Sequence, residues 1–288
     1  MGGETVEGED GGRVLNTAAI IGAGTMGRQI ASLIAGSGRP VRIWDADPGM
    51  LAAARERIAA ETRTLPDLPR YAHHQFRLEP PTDLDALIER IVLAESLADA
   101  VAGADIVIEA VREDLDTKLA LFAELSRLAP EAILTTNSSS LPSSQIAPAV
   151  DDPGRFLNTH FFAPVWSRPM VELMGSGATR PEVMEAAERF GKSLGLPADV
   201  DRLWMLFFGT PYGPFGIMDM VGLDVVADIE TSYQRVATDP ADQPSAILHE
   251  NLKEGALGEK TGRGFYSHPD PEYTRAGWLT CEEAHDGQ

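Results

Sequence analysis

The sequence predicts an α/β protein in which a doubly wound, mostly parallel sheet is followed by a smaller, mainly α-helical C-terminal domain. Three observations carry this. Short apolar runs alternate with helix-period segments from Leu15 to Thr136, the rhythm of a parallel sheet covered on both faces. The first run ends in a glycine-rich turn that opens a helix. From about Asp201 the strand rhythm is gone, and helical stretches are separated by glycine- and aromatic-rich segments at 209–215 and 260–266. The expected division is a disordered acidic tail over 1–12, a sheet domain over 13–200 and a helical domain over 201–288.

The stretch from Val14 to Asp45 organises the rest. Leu15 to Ile21 reads as a strand ending in Gly22-Ala23-Gly24-Thr25-Met26-Gly27. In such a turn Gly22 permits the tight bend, Gly24 lets the backbone approach a pyrophosphate, and Gly27 lets the helix sit close on its strand. The helix runs through Met26, Ile30, Leu33 and Ile34, and Gly36-Ser37-Gly38 closes it. Its first free N–H groups, at Thr25 and Met26, and its positive dipole end face the place for a phosphate. The next strand, Val41 to Trp44, ends in Asp45, a carboxylate about twenty residues past the turn, as ribose binding requires. An acid there accepts from both ribose hydroxyls and repels a 2′-phosphate, which favours NAD over NADP. A lone glycine motif is weak; the flanking strand, helix and acid together mark a Rossmann-type dinucleotide site.

Further along, Pro48 opens a helix through Leu51, Ala54 and Ile58. Residues 62–81 break the pattern with prolines, a His73-His74 pair and three arginines, Arg63, Arg70 and Arg77. This insertion is either a solvated loop or a basic lip for a phosphorylated substrate tail, in which Arg63 and Arg70 are substrate-binding candidates. Adjacent histidines project in different directions, so a metal site there is not expected. Strands follow at 90–94, 105–109 and 132–136, with Leu115, Leu119 and Phe122 on the core face of an intervening helix. The last of these strands ends in Asn137-Ser138-Ser139-Ser140, on the side where open parallel sheets bind ligands. Asn137 and Ser139 are therefore candidates for substrate contact, although serines at strand ends often only form turns.

Phe156 to Phe162 and Met170 to Met174 are two short strands with a connection too short for a helical crossover, so they are expected to pair antiparallel. That arrangement could set Glu172 beside His160. A carboxylate on one imidazole nitrogen fixes the tautomer and leaves the other nitrogen for proton transfer. The alternative is a half-buried histidine and an unrelated surface glutamate. A helix over 181–194 follows, with Thr179 expected as its N-cap.

The bulk composition narrows the classes. A net charge of −20, with only four lysines, makes nucleic acid and anionic membranes poor partners. Cys281 is the only cysteine, so no intrachain disulfide can form, which suits a reducing compartment. Met1 to Gly12 resembles neither a signal nor a transit peptide, and no apolar run approaches a membrane span. A cytoplasmic location is expected.

Several motifs together resemble the L-3-hydroxyacyl-CoA dehydrogenase family. They are GAGTMG at 22–27, ADIVIEAVREDLDTK at 104–118, NSSSL at 137–141, HFFAPV at 160–165 with VEL at 171–173, YGPFGIMDMVGLD at 212–224 and KTGRGFY at 260–266. The resemblance implies an NAD-binding Rossmann domain and a C-terminal substrate and dimerisation domain. It implies that Gly22, Gly24, Thr25, Met26, Gly27 and Asp45 bind NAD, with Glu113, Lys118 and Lys260 as further cofactor contacts. Ser139 would bond the reacting oxygen, His160 would be the general acid/base and Glu172 its orienting partner. The implied reaction is reversible hydride transfer between NAD and C3 of an L-3-hydroxyacyl-CoA, within fatty acid metabolism. A homodimer is the implied assembly, and no metal is involved.

Two departures from the family pattern stand out. Ala163 occupies the place of the asparagine that follows His-Phe-Phe. Near residue 200 the chain passes from Gly195-Leu196-Pro197-Ala198-Asp199-Val200 straight to Asp201-Arg202-Leu203-Trp204, as if a few tens of residues with a long helix were missing. Leu203, Trp204, Leu206 and Phe207 are then expected to lose packing partners. A dehydrogenase of a free hydroxy acid (gulonate- or carnitine-type) and a non-catalytic NAD-binding remnant remain as alternative functions.

Overall fold

The computed structural model describes residues 13–67, 78–196, 200–234, 246–275 and 277–280. It divides after Ala198 into two compact units. The first holds a seven-stranded sheet built from β1 (Ala18–Ile21), β2 (Val41–Trp44), β3 (Ile91–Leu93), β4 (Ile106–Glu109), β5 (Ile133–Thr136), β6 (Phe156–Phe161) and β7 (Val171–Gly175). Their order is β3-β2-β1-β4-β5-β6-β7. All neighbours are parallel except β7, which runs antiparallel to β6.

The sequence pattern follows from position in this sheet. The central strands β1, β4 and β5 are buried at every residue and read as continuous apolar runs. Strand β2, nearer the edge, alternates, with Arg42 exposed between buried Val41 and Ile43. Side chains of one strand enter two separate cores. Ile20 joins Ile30 and Ile34 of α1 (Thr25–Gly36), Ile58 of α2 (Pro48–Arg63) and Leu87 of α3 (Leu84–Glu89) on one face. Ile21 joins Leu97 of α4 (Leu97–Val101), Phe122 and Leu125 of α5 (Leu115–Leu128) and Ile146 of α6 (Ser143–Ile146) on the other. Phe122 and Phe156 meet edge to face at 4.9 Å, both fully buried, and tie α5 to β6.

Helix α7 (Pro181–Ser193) buries Val183, Ala186, Ala187 and Phe190 against the first core. Its N-cap differs from the expectation. Pro181 takes the first helical position, so Arg180 is the cap residue and makes no side-chain capping bond. The Thr179 hydroxyl instead donates to the Phe156 carbonyl at 2.6 Å and accepts from Ser176 N at 2.9 Å. It fastens the chain to β6 rather than starting the helix.

The second unit contains α8 (Val200–Phe208), α9 (Pro214–Val221), α10 (Leu223–Gln234) and α11 (Ala246–Lys253). Two buried acids hold it together. Asp201 accepts from Phe215 N, Gly216 N and the Tyr266 hydroxyl. Asp219 accepts from Phe265 N and Tyr266 N and pairs with His268 at 3.0 Å. The KTGRGFY segment is thus wired to α8 and α9. Trp204 and Phe207 are exposed (39% and 44%), and each meets the ring of Phe208, with centroids 4.4 and 4.9 Å apart. Leu206 is not: it is 9% exposed, because it lies on the inward side of α8 with Met205. Among the described residues no helix is long and apolar enough to cross a membrane.

Candidate active site

The glycine turn lies between β1 and α1, at the carboxyl edge of the sheet. Gly22 has φ +114°, and a Cβ there would sit 2.6 Å from the Ala110 carbonyl oxygen. A Cβ on Gly27 would fall 1.8 Å from the Gly22 carbonyl oxygen, so helix and turn can approach only without it. A Cβ on Gly24 would meet nothing within 4 Å. It would project into open space just before the first turn of α1, which carries no acidic residue and where the N–H groups of Thr25 and Met26 have no intrahelical acceptors. This is a cradle that a side chain would fill, of the kind a pyrophosphate needs. Asp45 Oδ2 accepts from Ala23 N at 2.7 Å and Oδ1 from Asp47 N at 2.8 Å, which fixes the acid beside the turn. The donors and the acid fit a dinucleotide with a free ribose 2′-hydroxyl.

The sequence reading missed Arg28. Its Nη1 donates to the Ala23 carbonyl at 2.8 Å, and its other nitrogens pair with Glu61 at 2.6 Å. The guanidinium is nearly buried and holds the turn from behind.

At the ends of β4 and β5 lies a polar network. Glu109 is fully buried: Oε1 accepts from Lys118 Nζ at 2.6 Å and from Val111 N at 2.8 Å, and Oε2 from the Thr136 hydroxyl at 2.6 Å. Lys118, expected as a direct cofactor contact, is only 1% exposed. Its ammonium is enclosed by Glu109 and by Glu113, 3.4 Å away, so it reaches the surface of the site only through Glu113. Glu113 in turn accepts from the Ser138 hydroxyl, and from Ser140 N and Oγ at 3.0 and 2.9 Å. Partial burial pushes the Glu113 carboxyl up. The bonds from Ser138 and Ser140 and the Lys118 charge outweigh that and hold its pKa down to about 2.

The β6–β7 register sets His160 directly opposite Glu172. His160 Nδ1 lies 2.9 Å from Glu172 Oε2, and the imidazole leans on Phe162 with ring centroids 4.6 Å apart. Both residues are part-exposed, as a site open to ligand requires. Asn137 Oδ1 accepts from Phe161 N at 2.8 Å, and Asn158 Nδ2 donates to the Ser138 carbonyl at 2.8 Å. The ends of β5 and β6 are pinned together, with His160 on one and the serine loop on the other. Ser139 is exposed at the tip of that loop. Asn137, a substrate candidate, is committed to the backbone of β6.

Arg63 is at the last turn of α2, ion-paired with Asp85 at 3.2 Å and largely exposed. Arg70, Arg77, His73 and His74 lie outside the described residues. Lys260 belongs to the second unit, where it pairs with Asp224. Among the described residues no group of three potential metal ligands converges.

The pattern described as "3-hydroxyacyl-CoA dehydrogenase, NAD binding domain" matches residues 17–198 of this chain. The chain belongs to the 3-hydroxyacyl-CoA dehydrogenase family. The family's C-terminal domain matches residues 176–268. A probable 3-hydroxybutyryl-CoA dehydrogenase of Bacillus subtilis is 31% identical, over 87% of this chain and 96% of that protein. The human mitochondrial hydroxyacyl-coenzyme A dehydrogenase is 30% identical, over 88% and 92%. The crystal structure of a 3-hydroxyacyl-CoA dehydrogenase from Archaeoglobus fulgidus superposes with a TM-score of 0.62 at 29% identity, over 91% and 96%. The protein is thus a 3-hydroxyacyl-CoA dehydrogenase-like enzyme with an NAD binding domain. The alignment with the Bacillus protein spans 286 residues, whereas 87% of 288 is about 250, so about 36 aligned positions have no counterpart here.

Proposed function

We propose that this dehydrogenase interconverts L-3-hydroxyacyl-CoA and 3-oxoacyl-CoA, with His160 as general acid/base. The observation that carries the reading is the 2.9 Å contact of His160 Nδ1 with Glu172 Oε2 at the carboxyl edge of the sheet. With Glu172 accepting the Nδ1 proton, the neutral ring keeps its free lone pair on Nε2. In oxidation Nε2 takes the substrate hydroxyl proton, and Glu172 stabilises the imidazolium that forms. In reduction the same proton is returned to the developing alkoxide. Ser139 donates to that oxygen from the loop pinned beside β6. When bound, NAD would supply the hydride acceptor; the Gly22–Gly27 turn with Thr25 and Met26, Asp45 at the ribose and Glu113 would hold it.

The Arg63, Arg70 and Arg77 segment serves the CoA phosphates, residues 201–288 are the substrate and dimerisation domain, and the enzyme works in the cytoplasm. Replacing an arginine of this segment by Glu should raise KM for CoA esters while leaving a CoA-free analogue unaffected. An equal effect on both would remove the segment from the site. A non-catalytic NAD-binding protein is the second reading, favoured by the exposure of Trp204, Phe207 and Phe208 in the second unit. Oxidation of NADH on adding acetoacetyl-CoA separates the two. The proposal requires turnover that is abolished by His160→Gln, and NADH binding without any turnover would support the remnant instead.

A further inference from the structure

A buried ion pair sits where the mechanism above makes no use of it. Glu109 and Lys118 are 0% and 1% exposed and 2.6 Å apart, at the end of β4 and the start of α5. Isolated burial of either charge is costly, and a pair this deep is often no more stable than an apolar replacement. Its hydrogen bonds point in one direction. Glu109 is fully satisfied by Val111 N, Thr136 and Lys118. Lys118 has a second acceptor, Glu113 Oε2, at 3.4 Å. Glu113 uses its other oxygen, Oε1, for Ser138, for Ser140 and for Leu141 N. Each member therefore grips one neighbour on each side, and the chain of contacts runs from the sheet interior to the loop that carries Ser139.

We propose that Glu109 and Lys118 are positioning residues: the pair anchors Glu113, and Glu113 holds the 138–141 loop so that Ser139 is presented to the site. The assignment rests on the reading of Ser139 given above only for its effect on turnover; the effect on the loop stands apart from it. Among the described residues Ser139 makes no side-chain hydrogen bond, whereas its neighbours Ser138, Ser140 and Leu141 are all held by Glu113. Without Glu109 the ammonium has Glu113 as its remaining acid. It would draw that carboxylate inward and away from Ser140 and Leu141.

The test is hydrogen exchange followed by mass spectrometry on the whole chain. Glu109→Gln keeps the size and the acceptor for Val111 N. Exchange in the segment 137–141 should speed up at least tenfold, while peptides of β1 and β4 change little. Because an unpaired buried lysine could unfold the protein, E109Q/K118M, which leaves no lone charge, is measured alongside. It should restore the exchange of the core but leave the loop fast. Loop exchange that stays at the wild-type rate, or rises only in step with the core, in the variant that folds would overturn the proposal. In turnover, E109Q should lower kcat about tenfold in the wild type and less than twofold in Ser139→Ala, since both act on one group. Additive losses would contradict it. If Ser139→Ala alone leaves kcat unchanged, the role of Ser139 has failed, and the exchange data still decide the positioning.

Discussion

Replacing Glu172 by Gln tests the acid/base pair with little risk to the fold. The amide is isosteric with the carboxylate but can turn either its oxygen or its NH2 toward His160 Nδ1. With the NH2 turned inward, the ring proton is forced onto Nε2, the wrong tautomer for a base. With the oxygen inward, the tautomer survives but the imidazolium loses its counter-charge. A hydrogen bond to a charged group contributes about 1.5–3 kcal/mol. The Glu172 side chain is 43% exposed, so solvent screening reduces this to about 1–2 kcal/mol. That corresponds to a loss of about 5- to 30-fold in kcat. Steady-state NADH oxidation with saturating acetoacetyl-CoA measures it, with fluorescence titration showing NADH affinity unchanged. An exposed pair contributes little to stability, so the melting temperature should stay within about 3 °C of wild type. A kcat within twofold of wild type would refute the role given to Glu172. A kcat loss matched by a large drop in melting temperature would refute the reasoning from exposure.

Three further outcomes follow from the same structure. Phe122→Ala removes a fully buried ring that meets Phe156 edge to face and should cost about 3–5 kcal/mol in urea unfolding, with a cost below 1 kcal/mol meaning the second core is not packed as described. Glu113 has a pKa of about 2 in the folded chain against an ordinary 4.5. Its contribution to stability is full above about pH 4.5 and is lost as pH falls toward 2. The melting-temperature gap between wild type and Glu113→Gln should therefore narrow over that interval, and a constant gap would contradict the depressed pKa. Asp45→Ala should narrow the preference for NADH over NADPH at least tenfold, about 1.4 kcal/mol, as read by binding titration of both nucleotides. An unchanged preference would take the ribose contact away from Asp45.

The sheet was legible because its central strands are buried on both faces, so Ile106-Val107-Ile108 and Ile133-Leu134 stand out as unbroken apolar runs. The antiparallel β7 followed from chain length alone, since the nine residues between Phe161 and Val171 are too few for a crossover helix. The opposition of His160 and Glu172 followed from that pairing. What was not legible depends on contacts between distant segments. Glu109 ends an apolar strand, where a carboxylate normally meets water; only the fold brings Lys118 and Thr136 to it. Lys118 is expected at the cofactor, yet it is enclosed. Asp201 and Asp219 likewise sit on short helices, and their burial follows from backbone donors supplied by residues 215–216 and 265–266. Thr179 has the composition of a helix cap one position too early, and Pro181 decides the matter. Residue type and spacing thus reveal strands, turns and paired neighbours, whereas buried charge is visible only once its partners are assembled.

The central claim is that one imidazole, oriented by one carboxylate, moves the proton that accompanies hydride transfer. It is tested most directly by mixing purified protein with NADH and acetoacetyl-CoA and following absorbance, for wild type and His160→Gln together. The account predicts stoichiometric NADH oxidation by the wild type and a loss of about 10²–10⁴-fold in the variant, with NADH still bound by both. Turnover that survives the substitution would contradict it.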